Sequence, residues 1–226
     1  MPEINLPTAG KQDQIKTKVD SIDTRLININ TKLDTVGKRL RSRVYTSDGT
    51  FIVPPGVTEV YLTGGGGGGA GGSPSSIFPP AGSGGVTSFG GLKSISGGRG
   101  GSSGGADGYG GAPGGPGGSR GESGIKLVTE IKSGDGGNSG PYTGGYGATR
   151  GTISTPGQYC SGGGGADAGD VAFCPGGGGG GDFIYDFPVT VIPGATINVY
   201  IGTAGASPYG GSANGGPGIL TVKWWE

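Results

Sequence analysis

Paired carboxylates, paired thiols and glycine-flanked serines are the residues of this sequence that could do chemistry. Each set lacks what its chemistry needs. Asp167/Asp170 and Asp182/Asp186 are local acidic pairs in a glycine-rich stretch. Two carboxylates hydrolyse a glycosidic bond only when one is held protonated and the other ionised, and neither pair has a supporting acid–base setting in its neighbours. The G-x-S-x-G pattern occurs around Ser102 and Ser119. It requires a strand before it, a helix after it and a base, and the chain contains no histidine. That absence excludes Ser-His-Asp and Cys-His catalysis and every histidine metal ligand. No Gly-Lys-Ser/Thr follows the glycine runs, so a Walker-type phosphate loop is missing. Gly162–Asp167 and Gly177–Asp182 fit the GGxGxD start of a calcium repeat but begin 15 residues apart, not at the nonapeptide spacing of a tandem array. The sequence is read as a non-enzyme, with no catalytic residues, no metal site and no cofactor.

Cys160 and Cys174 bracket CSGGGGADAGDVAFC. A disulfide there would close a loop and contribute about 3 kcal/mol. Two buried thiols are the other reading, and both stay open. There is no CxxC pair to bind metal through sulfur.

The elements that must position any site fall into two unlike polymers. Residues 1–43 hold nine Lys/Arg, five Asp/Glu and two glycines, whereas residues 44–226 hold seven basic and eleven acidic residues. Of the 60 glycines, 56 lie within 64–218. Leu, Ile, Val and Phe supply only 43 of 226 residues, too few for a conventional core over the whole length. Zero net charge removes self-repulsion as a reason to stay open. The apolar runs are shorter than the ~18 residues of a bilayer span, and the N-terminus lacks the basic flank and apolar stretch of a signal peptide. Synthesis in a cytosol without membrane insertion is expected.

In the first polymer, Ile15, Val19, Ile22, Leu26, Ile29, Leu33, Val36 and Leu40 alternate spacings of four and three. That is a heptad seam, and it predicts a helical rod of roughly 40 Å over 15–43. Leu predominates at a and Ile at d, which disfavours parallel dimers; three strands are expected. Thr8 or Asp13 could cap the start, and Gly37 weakens the last turn. Lys38, Arg39, Arg41 and Arg43 are read as a solvated helix end that complements the helix dipole. They are not read as a nucleic-acid patch, since net charge is zero and no aromatics interleave.

The second polymer begins and ends with strands. Val44–Thr46 and Thr50–Val53 read as a hairpin across Ser47-Asp48-Gly49, followed by a turn at Pro54-Pro55-Gly56 and a strand over Val57–Thr63. Phe187–Ile192 and Ile197–Ile201 flank a turn at Pro193-Gly194, and Ile219–Trp225 closes the chain. A middle strand is expected over Ile125–Ile131. A strand framework, 44–63 with 183–226, would thus hold a glycine-rich insert, 64–182. Poly-glycine has no side chains to bury against its large ordering entropy. It can order another way, as extended three-residue-per-turn helices that bond backbone to backbone. Glycines at 98, 101 and 104, and at 105, 108, 111, 114 and 117, hold a period of three. Collagen is disfavoured because the period breaks after a few triplets.

YTSDGTFIVPPGVTEVYLTGGGGGGAGG at 45–72, with VTVIPGATINVYIGTAGA and YGGSANGGPGILTVKWWE near the C-terminus, resembles the glycine-rich domain at the tips of bacteriophage tail fibres. The resemblance frames about four-fifths of the chain. It implies a mainly β fold whose insert packs as polyglycine II helices, with far-end loops that contact the bacterial surface. It also implies a homotrimer made in the host cytoplasm and exposed on the virion. Segment 1–14 would attach to other virion proteins and 15–43 would form the stalk. The glycine-rich β domain 44–226 would bind a host-cell surface glycan or protein as an adhesin. A capsid decoration, head fibre or baseplate component without receptor binding is the alternative. Breaks in the glycine runs supply the candidate receptor-binding residues Ile77, Phe78, Tyr109, Tyr142, Tyr146 and Tyr209. Pro74, Ser75, Ser76, Tyr159, Phe173 and Pro208 belong to the same breaks. Aromatic rings among Ser, Asn and Gly match the composition of adaptable binding loops; rings that plug gaps in a thin core are the other reading, and both stay open.

Overall fold

The computed structural model describes residues 9–35, 37–75, 77–102, 108–126, 131–167 and 174–226. The chain divides into two compact units, one holding the N-terminal helix up to Leu40 with Trp225–Glu226, the other Arg41–Trp224.

Helix α1 spans Ala9–Thr35. Ile15, Val19, Ile22, Leu26 and Ile29 are each between 48% and 62% exposed, so the helix buries little of its apolar row within the chain. Leu33 lies on the helix, and Val36 falls outside the described residues. The expected rod to residue 43 is too long. Gly37 has φ +98°, the left-handed conformation that closes helices and that only glycine adopts freely. Leu40 is therefore the first residue of strand β1, Leu40–Tyr45, and not the last of the seam. Arg41 and Arg43 likewise sit on β1, so the basic cluster is not a helix end. Asp13 lies inside the helix, where its carbonyl accepts from Thr17 Oγ1 at 2.9 Å, and does not cap it; Thr8 lies outside the described residues. Arg39 and Glu226 exchange backbone hydrogen bonds.

Two four-stranded sheets carry the second unit's core. The remaining strands are β2 (Gly49–Ile52), β3 (Glu59–Gly65), β4 (Thr87–Phe89), β5 (Lys93–Ile95), β6 (Ile125–Lys126), β7 (Ile131–Lys132), β8 (Phe183–Thr190), β9 (Thr196–Tyr200) and β10 (Ile219–Trp225). The first sheet runs β1-β10-β3-β8 and the second β2-β9-β4-β5. Alternation sets the inner faces: Val60 and Leu62 from β3, Leu220 and Val222 from β10, Ile197 and Val199 from β9 join one cluster with Phe51, Phe89 and Ile95. Phe51 of the second sheet meets Trp224 of the first at 5.2 Å between ring centroids. Burying each such side chain stabilises by ~1.5–3 kcal/mol.

Three strand expectations are corrected. β1 and β2 belong to different sheets and form no hairpin. The Tyr45 side chain turns into the core, where its hydroxyl donates to the Thr50 carbonyl at 2.9 Å, and the chain crosses between layers there. The insert is not separate from the framework, because β4 and β5 complete the second sheet. Ile125–Ile131 is not one strand, since Ile125 pairs with Lys132 and Lys126 with Ile131 in an antiparallel two-stranded ladder.

The glycine-rich stretches follow a different rule. Gly66, Gly69 and Gly72 donate to the carbonyls of Asp182, Gly179 and Gly176 at 3.1, 2.9 and 2.8 Å. The amides between them turn to other partners: Gly67 and Ala70 bond to Gly85 and Gly82, Gly68 and Gly71 to Gly216 and Ala213. The carbonyls of Gly67 and Ala70 accept from Gly98 and Gly101, those of Gly69 and Gly72 from Gly163 and Ala166, and that of Gly68 from Gly205. Among the described residues, 66–72 is thus bonded to six neighbouring stretches, changing partner at every residue and returning every third. Gly108, Gly111 and Gly114, three of the expected period-three glycines, donate to Cys174, Gly177 and Gly180. Gly117 donates to Asp182 Oδ1, and Gly104 and Gly105 fall outside the described residues. Side chains are excluded because the neighbours are too close: a Cβ on Gly69 would lie 2.1 Å from the Arg99 carbonyl oxygen. Stability here comes from satisfied amides and close backbone packing, each net hydrogen bond contributing ~0.5–1.5 kcal/mol.

Candidate functional site

The hydrogen-bond register gives the glycine-rich stretches two ends. Gly66 lies level with Asp182 and Ser96-bonded backbone beside the sheets, and Gly72 lies level with Gly176 at the other end. Loops 73–81 and 206–212 follow or precede stretches at that far end.

Phe78 and Tyr209 are brought together there, with Ile77 next to Phe78 in the chain. The Phe78 and Tyr209 rings stand 4.9 Å apart at 49°, and Ile77 beside them is 84% exposed. Local polar bonds shape both loops, as short polar side chains do in turns. Ser75 Oγ accepts from the Ile77 amide at 3.3 Å. Asn214 Oδ1 accepts from the Ser207 amide at 2.7 Å, and Ser212 Oγ donates to the Tyr209 carbonyl at 3.0 Å.

The other candidate residues do not join that cluster. Tyr109 is 70% exposed, its amide held by Ser102 Oγ at 2.6 Å. Tyr146 is 72% exposed on a stretch fixed by Thr155 Oγ1, which accepts its amide at 2.7 Å. Tyr142 lies at the sheet-proximal end, with its ring 5.9 Å from Phe183 of β8 and 5.6 Å from Tyr159. Burial raises the Tyr142 phenol above its ordinary range. Phe173 and Ser76 fall outside the described residues.

At Tyr142 the surface is concave. Tyr142, Gly157, Gln158, Tyr159 and Pro217 line an open cleft of about 460 Å³. The Gln158 amide donates to the Thr143 carbonyl at 3.2 Å, and Gln158 Oε1 accepts the Thr143 amide at 3.3 Å. The Cys160 amide donates to the Pro217 carbonyl at 2.8 Å. Nothing in the sequence marks Gln158, Gly157 and Pro217 as neighbours, since the cleft joins three distant stretches.

The residues that looked chemically active are engaged in contacts within the fold. Asp182 Oδ1 accepts the amides of Gly117 and Phe183 at 3.0 and 2.9 Å. Asp186 takes Lys223 Nζ at 2.7 Å and Thr63 Oγ1 at 2.9 Å, and these two donors hold its carboxyl below the usual carboxylate range. Asp167 accepts the Gly151 amide at 2.8 Å; Asp170 lies outside the described residues. Ser102 Oγ donates to the Tyr109 carbonyl and Ser119 Oγ accepts the Asn138 amide. Cys160 and Cys174 are both buried thiols, not bridged to each other. Burial pushes the Cys160 thiol up to about 12. Among the described residues no three His, Cys, Asp or Glu side chains converge as a metal site, and no helix is long and apolar enough to cross a membrane.

Comparison with known protein families and with curated proteins finds no match.

Proposed function

We propose that this chain is a virion fibre of a bacteriophage, trimeric through its N-terminal helix, whose glycine-rich domain is an adhesin for the host-cell surface. The observation that carries the reading is the cluster of Ile77, Phe78 and Tyr209. An exposed Ile77 and the half-buried, mutually packed rings of Phe78 and Tyr209 crown loops at the end of the glycine-rich stretches remote from the sheets. Rings held by polar turns on a rigid support offer contact area at low entropic cost. The glycine-rich stretches act as that support, packed as polyglycine II helices. Period-three amide bonding to six neighbours supports this packing, as does the absence of room for a Cβ at Gly69 and Gly178.

Trimerisation rests on α1. Its apolar row at heptad spacing stays about half exposed in the single chain, and mutual burial in a coil gives such a row a partner. Three copies would bind a surface multivalently, so weak single contacts add to firm adhesion. The segment before the coil would attach to other virion proteins. The protein itself supplies no covalent chemistry in this role.

The test is immunogold electron microscopy of the native particle, with binding of the full-length chain to host cells measured alongside. Label at tail tips and saturable binding, weakened by Phe78→Ala, are expected. Label on the capsid with no cell binding would remove the receptor role and leave a decorative fibre.

A further inference from the structure

The cleft at Tyr142 has the make-up of a small-molecule site, and it lies at the opposite end of the glycine-rich stretches from the Phe78–Tyr209 loops. We propose that it is a binding subsite for a neutral saccharide, one pyranose unit resting against the rings of Tyr142 and Tyr159.

Geometry comes first. The two rings stand 5.6 Å apart at 63°, so they form a corner and not a stacked pair. One ring can lie under a sugar while the other meets its edge. The C–H bonds on one face of a pyranose are weakly positive, and an aromatic face is negative. Pro217 adds apolar surface. The volume of about 460 Å³ falls within the ~300–1,000 Å³ of small-molecule sites.

Polar groups come second. The lining residues bring two phenol hydroxyls and the Gln158 carboxamide NH2. Among the described residues these groups make no protein hydrogen bond, while Gln158 Oε1 is occupied by the Thr143 amide. Gln158 and Tyr159 are exposed residues, and half-buried Tyr142 has no buried polar atom left without a partner, so the three groups face water and can meet a ligand. Sugar hydroxyls both donate and accept, and they match a set that offers both.

Charge decides the class. Tyr142, Gly157, Gln158, Tyr159 and Pro217 include no carboxylate, ammonium or guanidinium side chain, and burial raises the Tyr142 phenol above its ordinary range. An acidic sugar would find no cation in the lining, and a cationic ligand no carboxylate. The walls are also set before binding. Gly157 donates to the Asn214 carbonyl at 3.2 Å, and Cys160 fixes Pro217. Little ordering cost remains for a ligand to meet.

This inference goes beyond the adhesin reading and does not rest on it. Saturation-transfer-difference NMR on the full-length chain tests it, with D-galactose, D-glucose and N-acetyl-D-glucosamine as neutral probes and N-acetylneuraminic acid as the anionic one. At least one neutral sugar is expected to receive saturation, on the protons of one ring face, more strongly than the acid. Tyr159→Ala and Gln158→Ala should each reduce the signal at least fivefold, with melting temperatures showing that the variants fold. Phe78→Ala should leave it unchanged. Transfer to none of the neutral sugars overturns the proposal, as does transfer that survives both Tyr159→Ala and Gln158→Ala. A chain that binds host cells through Phe78 while no sugar binds at the cleft would sink the saccharide site alone.

Discussion

The amide of Gly69 donates to the carbonyl of Gly179 at 2.9 Å, and the two residues lie in stretches bonded at every third position in antiparallel register. Each is surrounded by further backbone. The approach is close enough that the missing side chain, and not backbone flexibility, explains the glycines.

Alanine at these positions should therefore be costly. A Cβ at Gly69 would sit 2.1 Å from the Arg99 carbonyl oxygen, and one at Gly178 would sit 2.1 Å from the Gly69 carbonyl oxygen. Backbone cannot swing aside as a flexible side chain would. Gly69→Ala and Gly178→Ala should each destabilise by about 3 kcal/mol or more. Gly91→Ala, where a Cβ would meet nothing within 4 Å, should change stability by less than about 0.5 kcal/mol. Urea titrations of the three variants decide it; equal small effects would show that the stretches do not pack this closely.

Asp186 gives an acid-dependent prediction. Its hydrogen bonds from Lys223 and then Thr63 lower its folded pKa below the ordinary 3.8. The contribution is thus present above the unfolded pKa and lost as pH falls through the folded one. Asp186 has φ +42°, a region that Asn tolerates well, so Asp186→Asn removes charge without adding backbone strain. The melting temperature of the wild type should exceed that of Asp186→Asn at pH 6, and the gap should close below pH 4. A gap that does not vary with pH would refute the assignment.

Cys160 should be inert in the folded protein. Burial raises its pKa from 9.0 to about 12, which leaves roughly a thousandfold less thiolate near pH 8 than in the unfolded chain. Iodoacetamide at pH 8 should modify Cys160 in urea and leave it intact in the native state, as peptide mass mapping would show. The sign of the linkage follows. The neutral thiol's contribution is complete below about pH 9 and declines as pH rises towards about 12. Rapid native labelling would contradict the buried position.

The helix predicts an assembly mass. Light scattering on the full-length chain should give three times 21.9 kDa. Ile22→Asp or Leu26→Asp would bury charge in the seam and should release monomers, because an unpaired buried carboxylate costs several kcal/mol. Ser21→Ala, off the seam, should leave the mass unchanged. A monomeric wild type would remove the coil.

The sequence by itself determined the elements whose side chains carry local information. Alternating β-branched residues marked β3, β9 and β10, heptad spacing marked α1, and Pro193-Gly194 marked its turn. The absence of histidine disposed of whole classes of chemistry. Period-three glycines at 108, 111 and 114 announced a shared neighbour without saying which. The end of the helix was misjudged because the seam's arithmetic continues to Leu40, while a left-handed Gly37 stops it. Tyr45 and Phe51 looked like two arms of one hairpin, and only packing against opposite layers separates them. Partner choice among the glycine-rich stretches was out of reach in principle. Sixty residues without side chains carry no pattern that distinguishes one neighbour from another. The sheets at one end fix where each stretch begins, and backbone bonding then sets the register. That same register places Phe78 beside Tyr209 at one end. At the other it places Tyr142 beside Tyr159, and no sequence interval connects the two sites.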